Sequence, residues 1–465
     1  MKTIKIIISS LILALLFASC KKSEPVKPTE DWNSPVESIG VGNRVIYEMN
    51  VRNFSKEGTL AAAQTQIDRL HTLGVDIIWL MPVHPIGVVG RSGSMGSPYA
   101  VKDYMSVNPD YGTLADFKSF ISAAHAKGIK VWMDWVPNHT AKDHPWVSEH
   151  PEYYAGAAPY SPSGWPDVYQ LDMRKPATHA AMIECMKFWV EQSDIDGFRF
   201  DYASSDMIST SFWAAAHEAI DPIKKLEWMA EADFNSYDPN APKYEETRKY
   251  FDFDYAWRFN SQMEEFVTSK DIADLRKACE ELFNDARYKE GLAKMVYVTN
   301  HDLNADDGTE FDRFSRYLYN LTALTFTLYD MPLIYNAQEV GDDQRMNLTE
   351  RQTITWGNTT PSIEDLIKKL CRLKRTTPAL TTGAQRGTLY LMPTEDQDNI
   401  FSFKRSNGSS EVIVILNFSG KSVDSQFAGN VPVGVYRDYL DGGDVTFEQN
   451  PTFTVPAYSC KIYRK

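Results

Sequence analysis

From Arg44 onward the chain alternates short apolar runs with longer stretches in which apolar positions recur every three to four residues. The short runs are Val45–Glu48, Ile77–Met81, Lys130–Trp135, Gly197–Asp201, Glu227–Ala230, Phe251–Tyr255, Met295–Thr299 and Pro332–Tyr335. Their length and their content of β-branched and aromatic residues predict strands. The stretches between them include Leu60–Leu73, Leu114–Lys127, His179–Ser193 and Phe314–Leu328, which have the spacing of amphipathic helices. Strand and helix in regular alternation predict an α/β fold, a parallel (β/α)8 TIM barrel over residues 39–377.

One connection breaks the rhythm. Residues 138–175, between the third strand and the next helix, are rich in Pro, Tyr, Trp and Gly and predict a small inserted subdomain with a functional role. Past Thr377 the pattern changes again. Thr388–Met392, Ile400–Arg405, Glu411–Phe418, Gly434–Asp438 and Thr452–Ile462 read as strands separated by Gly, Asn and Asp turns. They predict an all-β C-terminal domain, a β-sandwich, over 378–465.

The first residues follow another rule. Met1–Ser19 carries Lys2 and Lys5 ahead of an apolar run, Ile6–Phe17, that is shorter than the ~20 residues a membrane span needs. It reads as a signal peptide. It ends in Leu16-Phe17-Ala18-Ser19-Cys20, which resembles a bacterial lipobox with Cys20 as the lipidated residue. Residues 20–38, with Pro25, Pro28 and Pro35, read as the tether from that anchor to the fold. The expectation is a cell-envelope protein, lipid-anchored to a bacterial membrane on its periplasmic face or at the cell surface. Cys185, Cys279, Cys371 and Cys460 show no paired spacing and read as isolated buried thiols.

Charge narrows the partners. Lys and Arg number 48 against 62 Asp and Glu, a net charge of −14, which argues against a nucleic-acid partner. No CxxC or His-rich metal pattern occurs. The 11 Trp, 24 Tyr and 23 Phe supply both core and surfaces on which sugar rings stack; Trp135, Trp165 and Trp257 are candidates for sugar platforms, with core packing the preferred assignment.

The site of a barrel lies at the C-terminal ends of its strands. There the third strand ends Asp134-Trp135-Val136-Pro137-Asn138-His139, and the fourth runs Gly197-Phe198-Arg199-Phe200-Asp201. The fifth ends Ala230-Glu231-Ala232-Asp233, and the seventh Thr299-Asn300-His301-Asp302. Carboxylates, two His and an Arg therefore converge on one face. Residues i and i+2 of a strand point the same way, so Arg199 faces with Asp201. A permanent cation there would keep Asp201 ionised.

These strings resemble the signature segments of the α-amylase family, glycoside hydrolase family 13. Ser97-Pro98-Tyr99-Ala100-Val101-Lys102-Asp103-Tyr104 and Met331-Pro332-Leu333-Ile334-Tyr335 fit two further segments. The resemblance implies a retaining hydrolase of α-1,4-glucosidic bonds in starch-like α-glucans or maltooligosaccharides. Asp201 would be the nucleophile and Glu231 the general acid/base, its pKa raised by burial and neighbouring negative charge. Asp302 would hold the distorted ring. His139 and His301 would hydrogen-bond sugar hydroxyls, and Tyr99 would stack on the ring. Asp134 would orient Arg199, Asn138 would order the third loop, and Asp103 and His84 would give support. Within the same chemistry the alternatives are an α-glucosidase, a pullulan-cleaving enzyme or a transglucosylase. An inactive starch-binding lipoprotein is a rival class, although such relatives usually lose a catalytic carboxylate.

The sequence also departs from the family pattern. Many α-amylases place Lys-His three and four residues after the nucleophile; here Ser204 and Ser205 stand there. Gln170 replaces the usual calcium-binding Asp of the third loop. Calcium favours charged oxygens, so no metal ligand is assigned and no cofactor is required, with Ca2+ as the alternative and Asn138 as its candidate ligand.

Overall fold

A computed structural model of the chain describes residues 31–162, 164–234, 242–284, 293–328, 330–356, 361–429, 432–448, 450 and 452–465. The signal peptide, Cys20 and the first part of the tether lie outside the described residues.

Eight strands form the barrel: β1 (Ile46–Met49), β2 (Ile77–Leu80), β3 (Lys130–Trp135), β4 (Gly197–Phe200), β5 (Glu227–Ala230), β6 (Phe253–Tyr255), β7 (Ala293–Val296) and β8 (Met331–Tyr335). Each pairs in parallel with the next, and β8 pairs with β1 to close the ring. The largest displacement from the predicted runs is β7, expected at Met295–Thr299 and found at Ala293–Val296. Lys294 hid its start. Its ammonium is buried between Asp233 Oδ1 at 2.9 Å and Asp254 Oδ2 at 2.7 Å, a compensated charge that a hydropathy pattern reads as loop. The helix expected over 60–73 is two, Leu60–Gln64 and Ile67–Leu73. At the break, Thr65 Oγ1 donates to Ala62 O at 2.7 Å, one of the local bonds with which Thr competes against helix continuation.

The period of two within each strand decides which residues reach the interior. Ile46, Ile77, Trp79, Trp132, Met229, Tyr255 and Met295 pack together inside the barrel. Tyr47, Ile78, Met133, Trp135, Phe198, Phe200 and Ala230 join the larger core under the helices. Glu48, Asp134, Arg199, Asp201 and Glu231 have the inward parity. Gly197 is required where β4 meets β3 and β5: a Cβ there would lie 2.5 Å from both the Trp132 ring and Glu227 O.

In the third loop, His139–Ala141 and Val168–Gln170 pair antiparallel, with His139 opposite Gln170. The C-terminal domain is a six-stranded antiparallel sheet, in the order Thr388–Leu391, Ile400–Asn407, Ser410–Asn417, Cys460–Arg464, Gly434–Asp438, Asp444–Phe447. A two-stranded sheet, Val423–Ser425 with Phe453–Val455, faces it across a second core. The single strand expected over 452–462 is thus two strands in different sheets. The other face of the large sheet, with Phe401, Phe403, Val412 and Val414, joins the barrel's outer core. All four described cysteines are buried and free.

Residues 31–38, read as tether, are docked together with Ile39. Trp32 meets Tyr439 edge-on at 5.3 Å, Lys369 and Arg372 lie over its ring, and Ile39 N donates to Arg375 O at 2.9 Å. Arg375 in turn holds Asp76, which accepts from Val45 N. This segment therefore meets the barrel at the end where strands begin, opposite the ends where they finish. Among the described residues no helix is long and apolar enough to cross a membrane.

Candidate active site

The register across β3, β4 and β5 sets Asp134 beside Arg199 and Phe200 beside Ala230. One residue further on, Asp201 N donates to Trp135 O at 2.8 Å and Glu231 N to Phe200 O at 2.9 Å. Asp201 and Glu231 thus leave adjacent strands side by side, with the same inward parity, where strands are ~4.8 Å apart.

Arg199 organises them. Its guanidinium is fully buried. Nη1 stands 3.0 Å from Asp134 Oδ1 and 3.3 Å from Asp201 Oδ1, and Nε donates to Tyr255 Oη at 3.1 Å. Nη2 is 3.0 Å from Glu231 Oε2, an ion pair off the line of its N–H bonds. The cation also lies 5.0 Å from the Trp79 ring centroid and 5.7 Å from those of Tyr99 and Tyr255. Asp134 is fixed by three donors, adding Trp79 Nε1 and Tyr99 Oη, each at 3.1 Å.

The opposite wall comes from the residues after β7. Asn300 caps a short helix, His301–Asp306, by accepting from Leu303 N at 2.9 Å. The cap sets His301 and Asp302 at the mouth. His301 Nδ1 bonds Glu48 Oε1 at 2.5 Å; its Nε2 is 2.8 Å from Tyr99 Oη and 3.2 Å from Asp302 Oδ1. Tyr99 stacks on the imidazole with centroids 5.3 Å apart. Tyr99, His139, Asp201, Glu231, His301 and Asp302 all line one cavity of about 770 Å³. Six of the residues singled out from the sequence thus meet in one place.

The electrostatics follow from burial. Burial pulls His301 down, but the charges of Asp302 and Glu48 outweigh it and push its pKa up to about 9. Burial pushes Asp134 up to about 6 against the pull of Arg199. Burial, then the Glu231 charge, push Asp201 well above the ordinary carboxylate range, with Arg199 opposing. The expectation that Arg199 alone holds Asp201 ionised is therefore corrected: one guanidinium is divided among three carboxylates. Burial lowers His139 to about 4, leaving a neutral ring. Asn138 Nδ2, 3.2 Å from its Nδ1, donates to that nitrogen and leaves Nε2–H as the ring's donor.

Three assignments change. Asp103 lines a separate cavity, where it accepts from Met105 N and Ser106 Oγ and shapes a turn. His84 is buried among Tyr104, Trp135 and Trp189 and serves the core. Trp165, assigned to the core, is 40% exposed and lines the cavity, whereas Trp135 is fully buried and Trp257 packs on Tyr255 and Tyr297. Sequence reasoning missed Glu48, Trp79 and Tyr255. Glu48 did carry a signal: it is a lone charge inside an apolar run.

The third loop does not fit calcium. Gln170 Nε2 donates to Asn138 O at 2.6 Å, Asn138 Oδ1 at 2.9 Å and Leu171 O at 3.1 Å. An uncharged amide thus satisfies the oxygens that a cation would need. Among the described residues no group of three His, Cys, Asp or Glu side chains is placed to hold a metal.

A closed parallel barrel thus brings paired carboxylates and a third carboxylate to one open cleft. Comparison with known proteins gives the family. Residues 33–163 and 160–378 match the α-amylase catalytic domain, and residues 390–464 match the α-amylase C-terminal all-β domain. The chain belongs to the α-amylase family. It is 25% identical over 437 residues to α-amylase MalA of Haloarcula japonica, covering 89% of this chain and 62% of that one. It therefore spans less than two thirds of that relative's length. Among solved structures it resembles the noncanonic maltogenic α-amylase AmyB of Thermotoga neapolitana, at 25% identity and TM-score 0.80. It also resembles an α-amylase of Lactobacillus plantarum, at 26% identity and TM-score 0.79. Each comparison covers 91% of this chain and 99% of the other.

Proposed function

We propose that this chain cleaves α-1,4-glucosidic bonds in starch-like glucans or maltooligosaccharides with retention of configuration. The observation that carries the reading is the single buried guanidinium of Arg199 shared by Asp201 and Glu231, with Asp302 facing them across the cleft. Asp201 attacks the anomeric carbon as a carboxylate. Glu231 protonates the departing oxygen and then deprotonates water. Retaining enzymes keep the two carboxyl groups of this double displacement about 5–5.5 Å apart. The adjacent-strand placement supports that separation. The neutral His139 and the His301–Asp302 pair bind hydroxyls of the same sugar. The Gln170 contacts support activity without calcium. Products from amylose, pullulan, maltotriose and isomaltose test the substrate. NMR of the first product tests the stereochemistry: the α-anomer is expected, and an initial β-anomer overturns the mechanism.

We also propose that Cys20 is lipidated and holds the enzyme on the cell envelope. The docking of residues 31–39 at the strand-start end supports an orientation in which the cleft faces away from the membrane. Mass spectrometry of the mature N-terminus tests it; an unmodified terminus at another residue leaves a secreted or periplasmic enzyme.

A further inference from the structure

Among the described residues, two large exposed apolar side chains stand in the catalytic cavity: Trp165 at 40% and Tyr202 at 42%. They arrive from different loops, one from the 138–175 insertion and one directly after Asp201, and they meet edge to face with centroids 5.5 Å apart. Exposed aromatic rings brought together at a concave polar site have no folding role that would keep them there; they mark a binding surface. Tyr202 is also held in left-handed backbone at φ 46°, an unusual conformation for a bulky side chain. That conformation aims its N–H at Glu231 Oε2, 2.6 Å away. The ring is thereby tied to the carboxyl that would protonate the leaving oxygen. Donor-side contacts come from Tyr99, His139, His301 and Asp302, and His139 borders the platform, its ring 5.5 Å from that of Trp165.

We propose that Trp165 and Tyr202 form the platform for the first sugar on the leaving-group side of the cut, taking it by stacking. The proposal rests on the reading of Glu231 as acid/base in an α-glucan-cleaving enzyme. It assigns to two aromatic rings a position where many relatives use a Lys three residues after the nucleophile, here Ser204. The same surface would receive a sugar that replaces water in the second step. Trp165 and Tyr202 therefore set the balance between hydrolysis and transfer.

The test compares maltotetraose with α-maltosyl fluoride, whose leaving group carries no sugar for the platform to hold. In Trp165→Ala and in Tyr202→Ala the ratio of kcat/KM for maltotetraose to that for the fluoride should fall about tenfold, the size of a good aromatic contact. Transfer to added glucose should fall with it. Tyr202→Phe, which keeps the ring, should restore most of the ratio. Circular dichroism and melting check the fold, and Trp165→Ala carries the test alone if Tyr202→Ala fails to fold. An unchanged ratio in Trp165→Ala, or a Tyr202→Phe as impaired as Tyr202→Ala, overturns the platform while leaving the proposed function intact. A wild-type protein that cleaves neither substrate overturns the function itself, and the platform with it.

Discussion

Replacing Glu48 with Gln isolates one charge deep in the barrel. Glu48 is fully buried, its Oε1 is 2.5 Å from His301 Nδ1, and Asp302 flanks the other side of the same ring. The pKa of His301 is lifted from 6.5 to about 9. At ~1.36 kcal/mol per pKa unit this amounts to about 3 kcal/mol of preference for the protonated ring. Because the folded pKa is raised, that stabilisation is complete below about pH 6.5, shrinks above it, and is gone once the pH passes about 9. Gln keeps the shape and an acceptor oxygen but removes the charge. Asp302 exerts the larger through-space pull on the ring, and Glu48 adds its own charge and a direct hydrogen bond. The variant should therefore lower the His301 pKa by more than about one unit. NMR titration of the histidines measures it directly. The alkaline limbs of kcat/KM and of the melting temperature should move down with it. A His301 pKa within about half a unit of wild type would show that Asp302 alone protonates the ring, and would refute Glu48 as its positioning partner.

Asp201→Asn should cost at least about a thousandfold in kcat without lowering the melting temperature, since the amide cannot attack; turnover above about one per cent of wild type rejects Asp201 as nucleophile. With Asp201 pushed well above its ordinary range, the acid limb of kcat/KM should lie above the usual carboxylate value, activity falling as pH falls through it; a limb near 4 refutes this poise. Glu231→Gln should abolish cleavage of natural glucans but spare the first step on a glycosyl fluoride, which needs no proton; equal loss on both makes Glu231 structural. Chelator should leave the wild-type melting temperature unchanged, whereas Gln170→Asp, which places a carboxylate against Asn138 and Leu171 O, should melt higher with added calcium; a chelator-sensitive wild type refutes the amide's role.

Barrel strands were legible because each is a short apolar run between amphipathic helices, and the carboxylates of the cleft because they close those runs. What escaped the sequence was compensation across the chain. Lys294 looks polar until Asp233 and Asp254 are seen beside it. Glu48 looks misplaced until His301, 253 residues away, meets it. Trp165 and Trp135 are the same residue type with opposite fates. Trp135 lies on the outward parity of β3 and is buried under helices. Trp165 sits in an irregular loop with no parity to read. The Arg199–Asp201 pair was legible from i, i+2 spacing, but the sharing of that cation with Asp134 and Glu231 depends on barrel closure.

That sharing explains the chemistry as well as the pKa directions. Five carboxylates, from Glu48, Asp134, Asp201, Glu231 and Asp302, surround Arg199 and His301. Negative groups outnumber positive ones at the cleft. The empty protein bears the cost as raised affinity for protons at Asp134 and Asp201. In the proposed mechanism a positive charge growing on an anomeric carbon would relieve it, and only as the bond breaks, so the stabilisation would fall on the transition state and not on bound substrate. The excess must also be limited, or Asp201 would stay protonated and could not attack. Arg199 sets that limit. Its planar fork reaches three carboxylates and Tyr255 at once, whereas a Lys ammonium is a single point charge. Arg199→Lys should therefore leave the pit more protonated, raising the acid limb of kcat/KM further, and an acid limb unmoved by that substitution would place the balance elsewhere.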